Sequence, residues 1–204
     1  MKNSKLRIMC FLLACLIMTA CLSKTSVLAY DSTKAQKYAE KWWNGYNNEY
    51  PMYAKDCTNY VSQALEAGGL KQDSTWNWYY DTFNTDSTPA WCNADELRKY
   101  LVKSGRGYVK KYWDTNPDTS RENPPDSTTG ANSLFIANVV FYDWQSDGDF
   151  DHAAIITSYQ TSTGNKSDSV CAHSESRYRQ RWHLRDHMSA YTYARTTWVG
   201  LGIK

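Results

Sequence analysis

The sequence is poor in glycine and proline, with 10 and 5 of 204 residues, and it has little net charge. Its 23 basic and 21 acidic residues give a formal charge of +2, so nothing indicates a basic surface and we expect no nucleic-acid partner. Internal repeats and low-complexity tracts are also missing, and the length suits one ordinary domain. Aromatic residues, by contrast, are abundant and can build a solid core.

Long apolar runs are missing from the sequence after its amino-terminal segment. The run at 8–22 follows a positively charged head and precedes small residues, which is the layout of a secretory signal peptide over residues 1–29. The run is short for a membrane span, so we expect no transmembrane span in the mature chain. The domain at 30–204 would then be secreted or associated with the cell wall. The alternative is a lipoprotein signal that anchors the chain at Cys21.

Cysteine is scarce after the predicted signal peptide, where Cys57, Cys92 and Cys171 remain. Outside the cell, an odd number of cysteines leaves at least one thiol unpaired. Cys92 and Cys171 could form a disulfide bond if their geometry permits it. The unpaired thiol would be either an inert buried group or a nucleophile.

Apolar spacing predicts that helices come first and strands second along the chain. Stripes of apolar residues three and four apart predict helices over 32–46, 57–67 and 94–104. Composition predicts loops over 70–92 and 114–133. β-branched and aromatic runs predict strands over 139–142, 152–159, 169–173 and 191–199. This order indicates an α+β domain, with N-terminal helices packed on an antiparallel β-sheet.

The most informative stretch is DCTNYVSQALEAGG, residues 56–69, which places Cys57 in the first turn of a helix after Asp56, a residue that can cap it. Unpaired N–H groups and partial positive charge at a helix start lower the pKa of a thiol, and the thiolate is the nucleophile. The same N–H groups can hold the oxyanion that forms when a carbonyl is attacked. The sequence therefore indicates Cys57 as a candidate nucleophile.

Two histidines are candidates for the proton transfers that such a nucleophile needs. A leaving amine must receive a proton, and an imidazole exchanges protons near neutral pH. His152 begins the apolar strand HAAIIT, and His173 lies in the next predicted strand. Neighbouring strands can bring the two rings together, so that one orients the other.

Four sequence blocks together resemble the putative amidase domain family: DCTNYVSQALEAGG at 56–69, VVFYDW at 139–144, DHAAIIT at 151–157 and AHS at 172–174. That family is similar to the NlpC-type and CHAP peptidoglycan hydrolases, so the resemblance implies a papain-like fold over roughly residues 34–200. It implies Cys57 as nucleophile and His152 as general base. His173 falls where NlpC-type relatives place a polar residue that orients the base.

The resemblance also extends to residues near the nucleophile. Asp56 matches the acidic residue that precedes it, and an upstream tyrosine lines the substrate site in NlpC-type relatives, a position for which Tyr46, Tyr50 and Tyr53 compete. The predicted substrate-binding residues are Asp56, Asn59, Tyr53 and Trp91. Relatives often show His-Thr-Asn or His-Thr-Asp where this chain has His-Ser-Glu, so Glu175 is a rival for the orienting role.

Other clusters of charged residues give weaker signals. The acids of DGDFD, residues 147–151, lack the spacing of an EF-hand, and His183 and His187 lack the glutamate of the zinc-protease motif. We therefore expect no metal and no cofactor. The arginine-rich run at 177–185 is interpreted as a solvated loop, with contact to an anionic wall polymer or a substrate carboxylate as the alternative.

These observations predict a secreted cysteine hydrolase that cleaves an amide bond through a thioester. Its expected substrate is cell-wall peptidoglycan or a peptide, which rests on kinship and export. Two alternatives stay open at this point: a secreted protease or deamidase that acts on proteins, and a non-catalytic wall-binding module on the same fold.

Overall fold

The computed structural model describes residues 29–78, 87–116, 119–128 and 134–204. The predicted signal peptide, including Cys21, lies outside the described residues except at position 29. Over the described ranges, none of the helices combines the length and the apolar character that a membrane crossing needs.

Among the described residues, four helices precede the sheet in the chain. They are α1 (Ser32–Trp42), α2 (Cys57–Ala67), the single-turn α3 (Pro89–Cys92) and α4 (Ala94–Lys103). The Asp31 and Asn93 side chains cap α1 and α4 by accepting backbone N–H bonds, as helix starts require. Helix α1 ends at Trp42, short of the predicted residue 46. The carbonyl of Trp42 instead accepts a bond from a histidine ring at 2.6 Å, which satisfies one of the unpaired groups at a helix end.

Within the described residues, six strands form one antiparallel sheet in the order β1-β6-β2-β3-β4-β5. Their bounds are β1 (Gly107–Asp114), β2 (Val139–Asp143), β3 (His152–Gln160), β4 (Lys166–Ala172), β5 (Arg177–Arg181) and β6 (Thr197–Ile203). The sequence prediction missed β1 and β5, which are the two edges of the sheet. Edge strands tolerate charged side chains, so GYVKKYWD and RYRQR lack the apolar pattern from which strands are predicted.

The predicted strand over 191–199 is wrong in its first half. Residues Ala190–Tyr193 form the short helix α5, and Ser189 caps it by accepting the N–H of Thr192. The strand begins at Thr197 and continues to Ile203. The tyrosines of the first half have high strand propensity, but the local cap decides the backbone there.

Apolar cores cover both faces of the sheet. The helices pack on one face, where Tyr60, Val61 and Leu65 of α2 join a buried cluster with Val139 and Phe141 of β2. The alternate residues of β2 point into a second cluster on the opposite face, which includes Trp113, Trp182 and Trp198. The α+β prediction, with N-terminal helices packed on an antiparallel sheet, is confirmed.

The suggested Cys92–Cys171 disulfide is not formed. Over the described ranges, the cysteines are free thiols. The Cys92 sulfur lies 3.5 Å from the Thr88 carbonyl, and the buried Cys171 sulfur lies 3.3 Å from the Thr157 hydroxyl. Burial raises the pKa of both thiols, which favours unreactive, protonated side chains.

Candidate active site

Two candidate catalytic residues begin adjacent elements of the fold. Cys57 is the first residue of α2 and His152 the first residue of β3, and α2 packs against β3. The His152 ring and the Ala153 backbone N–H both interact with the Cys57 thiol. The thiol is largely enclosed, since only 6% of the Cys57 surface is exposed. The packing of helix on strand therefore brings together the two residues that the motifs single out.

The environment of Cys57 favours its thiolate. Burial raises the pKa of the thiol, but the charge of His152, hydrogen bonds from His152 and Ala153, and the Thr58 hydroxyl outweigh burial. Together they lower the pKa from 9.0 to about 7. A substantial fraction of the sulfur is therefore anionic at neutral pH, which is the form that attacks carbonyl groups.

Aromatic rings hold the His152 imidazole in place. The Trp144 ring stacks against it with a centroid distance of 5.7 Å and an angle of 28°, and the Tyr142 ring lies 5.3 Å away. Tyr142 is itself fixed, because its hydroxyl donates to the Trp182 carbonyl. The backbone N–H of Trp144 donates to the Asp151 carboxylate at 3.0 Å. Contacts with two aromatic residues of the VVFYDW block thus orient the His152 ring.

The structure corrects the role predicted for His173. Its Nδ1 lies 2.6 Å from the Asp56 carboxylate and its Nε2 lies 2.6 Å from the Trp42 carbonyl. Its ring also stacks on Tyr60 at 4.1 Å. Since both ring nitrogens are engaged by these two acceptors, His173 does not orient His152. It instead binds Asp56, the residue that precedes Cys57.

Asp56 also differs from the prediction, because its side chain does not cap α2. Its buried carboxylate accepts bonds from the Tyr53 backbone N–H at 3.2 Å and from the Asn59 amide at 2.8 Å, in addition to His173. The Trp91 indole donates to the Asn59 carbonyl oxygen at 2.6 Å. This buried network shapes the backbone that leads into the nucleophile.

The predicted substrate-binding set is therefore largely structural. Asp56, Asn59 and Trp91 are buried, so their side chains do not line an open groove. Trp91 packs between the rings of Tyr50 and Trp76 in the helical layer. Tyr53 is the exception: it stays half-buried, and its hydroxyl contacts Ser87. These buried motif residues pack around the start of α2, where Cys57 lies.

Ser174 is a residue of this site that the sequence analysis missed. Its hydroxyl oxygen accepts the backbone N–H of Asp56 at 2.9 Å and that of Cys57 at 3.2 Å. From sequence alone, the N–H groups at this helix start were expected to be available for an oxyanion. Ser174 belongs to the AHS block at 172–174, which is the sequence signal that could have identified it.

A cleft of about 480 Å³ opens beside His152, and Ser174, Trp144 and Arg177 are among its other lining residues. His152 and Ser174 both face the cleft and interact with Cys57, so they connect the open space to the thiol. Glu175 pairs with Arg177 and leaves 77% of its side chain exposed. Glu175 lines the same cleft as His152, but its carboxylate pairs with Arg177, which does not support the rival orienting role.

The remaining predicted clusters have ordinary hydrogen-bond partners. His183 contacts Asp126 at 3.4 Å and accepts the Arg185 N–H at 3.0 Å, while His187 contacts Gln180. Asp147 accepts the N–H of Asp149, as in a tight turn. Among the described residues, no group of three or more histidines, cysteines or acids is arranged to hold a metal ion.

Comparison of the sequence with known proteins identifies a matching family. The family described as putative amidase domain matches residues 29–199. Two proteins of Bacillus subtilis (strain 168) are similar. Uncharacterized protein YjcM is 34% identical over 145 residues, which is 67% of this chain and 30% of YjcM. Uncharacterized protein YhbB is 29% identical over 138 residues, which is 62% of this chain and 37% of YhbB.

The aligned part of the chain spans about a third of the length of these two relatives. No solved structure is detectably similar to the chain.

Proposed function

Because the chain belongs to the putative amidase domain family, we propose that it is a cysteine hydrolase that cleaves an amide bond, with Cys57 as nucleophile and His152 as general base. The observation that carries the proposal is the interaction of a thiol at a helix start with an imidazole from the adjacent strand. A nucleophile activated by a neighbouring base is the arrangement that acyl transfer requires.

The proposed reaction has two halves. The Cys57 thiolate forms an S–C bond with the amide carbonyl, whose π electrons move onto oxygen. When they return, the C–N bond breaks and the His152 imidazolium gives its proton to the leaving nitrogen. Water then attacks the thioester while His152 accepts its proton, and the C–S bond breaks to release the acid and restore the thiolate.

The lowered pKa of Cys57 supports an enzyme over a binding module on the same fold. A wall-binding module needs no activated sulfur, and burial alone would have raised the pKa, as it does for Cys92 and Cys171. The perturbed group also lies next to a cleft, which is where functional sites concentrate.

The proposed substrate is an amide of cell-wall peptidoglycan, and the proposed fold is papain-like. The support for both is the resemblance of the motifs to NlpC-type and CHAP hydrolases, together with the signal-peptide layout of residues 1–29. Secretion, or attachment at Cys21, belongs to the same proposal. The cleft adds support, since Trp144 and Met188 provide apolar surface and Arg177 a positive charge.

To test this proposal, the protein is incubated with purified peptidoglycan and, separately, with an unfolded protein, and mass spectrometry detects newly formed amino groups. We expect new amino groups from peptidoglycan and none with Cys57→Ala. Cys171→Ala is the matched control, because it also removes a buried thiol but lies outside the site. New amino groups on the protein substrate alone would favour the protease alternative, and equal products from Cys57→Ala would contradict cysteine catalysis.

A further inference from the structure

The start of helix α2 carries two backbone N–H groups that already have a partner. Both the Asp56 and the Cys57 N–H donate to the Ser174 hydroxyl oxygen, at 2.9 and 3.2 Å. An oxyanion formed at Cys57 therefore does not meet vacant N–H groups, as a bare helix start would offer. It meets the hydroxyl group that these N–H groups hold.

We propose that the Ser174 hydroxyl donates a hydrogen bond to the oxyanion that forms when the Cys57 thiolate attacks a substrate carbonyl. This inference rests on the proposed function. A hydroxyl has two lone pairs and one hydrogen, and the two N–H groups occupy the lone pairs. Among the described residues, no acceptor for the hydroxyl hydrogen is found, so this hydrogen is free to bind a substrate.

The position of Ser174 suits that role. Its side chain is exposed and lines the cleft together with His152. Covalent geometry keeps the Cys57 sulfur within about 4 Å of its own backbone nitrogen, which is the atom that Ser174 contacts. A carbonyl bound in the cleft and attacked by the sulfur would thus place its oxygen near the hydroxyl.

The two N–H bonds also strengthen the hydroxyl as a donor. Hydrogen bonds in a chain polarise one another, so N–H groups that donate into an oxygen make its own hydrogen more positive. The partial positive charge of the α2 start is transmitted in the same direction. In this arrangement the helix stabilises the oxyanion through Ser174, not by direct contact.

The backbone of Ser174 is consistent with a specific need for the hydroxyl. Its φ is 75°, in the left-handed region that glycine adopts readily and serine does not. Holding a non-glycine residue there strains the backbone, and such strain concentrates at functional sites. Glycine would satisfy the backbone at lower cost but would lack the hydroxyl.

One acylating probe and one alkylating probe separate oxyanion binding by Ser174 from a purely structural role. p-Nitrophenyl acetate acylates a thiolate through an oxyanion, with loss of p-nitrophenolate, whereas iodoacetamide alkylates by direct displacement of iodide and forms no oxyanion. The variants Ser174→Ala and Ser174→Gly both remove the hydroxyl, but glycine also suits the backbone. Cys57→Ala defines the signal that depends on the nucleophile.

We expect both Ser174 variants to slow the Cys57-dependent release of p-nitrophenolate by about 100-fold, as loss of one oxyanion donor does elsewhere. Alkylation of Cys57 by iodoacetamide, followed across pH, should stay within about threefold of the unsubstituted chain. Acylation at the original rate or faster would overturn the inference, because Ser174 would then only occupy the N–H groups.

Equal slowing of both probes, or near-normal acylation in Ser174→Gly alone, would also overturn it, since either result indicates a structural role. Failure of the proposed function looks different. In that case the unsubstituted chain itself would release no more p-nitrophenolate than Cys57→Ala.

Discussion

Two histidines approach the start of α2, and each contacts one of two consecutive residues. His152 interacts with Cys57, and His173 pairs with Asp56 at 2.6 Å. His152 is half-buried and lines a cleft, whereas His173 is only 6% exposed and is held by acceptors on both ring nitrogens. The first residue of β3 and the turn after β4 thus supply two imidazoles to one helix end, but in different surroundings.

The contrast between His152 and His173 shows that the groups in contact with an imidazole determine its role more than its neighbours in the sequence do. The carboxylate and the carbonyl that flank His173 engage both of its ring nitrogens. Neither nitrogen is left to bind another group. His152 faces the Cys57 thiol and the cleft, which is the position that the proposed general base needs.

Replacing the reactive histidine should have the largest effect. We expect His152→Asn to reduce amide turnover by at least about 1,000-fold, because general acid–base catalysis is lost. The midpoint of iodoacetamide labelling at Cys57, expected near pH 7, should also move to higher pH, because His152 lowers the thiol pKa. Labelling rises with pH through that midpoint, since only the thiolate reacts.

Steady-state kinetics and mass-resolved labelling measure both effects of His152→Asn. Urea unfolding serves as the control and should change by less than about 1 kcal/mol, since this ring is only half-buried. Unchanged turnover would mean that His152 and His173 do not differ in the way proposed.

Replacing the buried histidine should affect stability instead. His173→Ala leaves the Asp56 carboxylate buried with one partner fewer, and breaking a buried pair typically costs about 3–5 kcal/mol of unfolding free energy. Urea denaturation measures this loss. The Asp56→Asn and His173→Ala variants, alone and combined, form a double-mutant cycle that isolates the pair, and we expect a coupling of about 2 kcal/mol.

In His173→Ala, the labelling midpoint at Cys57 should remain near that of the unsubstituted chain, provided that the protein is folded. If the labelling midpoint of Cys57 rises as far as in His152→Asn, His173 also lowers the pKa of the thiol. The two histidines would then not differ in the way proposed.

The smallest effect is expected at Glu175, the sequence-based rival for orienting the base. Glu175→Gln removes only an exposed partner of Arg177, so kcat/KM should change by less than about twofold. The same amide assay measures it, with Glu122→Gln as a matched control that also removes an exposed salt bridge to a basic side chain. A tenfold loss at Glu175 alone would place this carboxylate in the site after all.

Local sequence patterns predicted the parts of the fold that depend on near neighbours. Helix α2 begins and ends where the spacing of its apolar residues predicts, and β2 and β3 follow their apolar runs. The edge strands β1 and β5 escaped prediction because their alternation is masked by charge. The different contacts of the two histidines could not be predicted, because each histidine contacts a residue more than ninety positions away in the sequence.

The sequence by itself determined that a cysteine begins a helix and that a histidine begins a later strand, since spacing and capping are local properties. Only the tertiary structure decided that one imidazole reaches the thiol, that the other is buried against Asp56, and that the Ser174 hydroxyl occupies the helix start. The physical reason is that strand order and packing set these distances and that burial sets the charge of the groups, and neither is a property of a single segment.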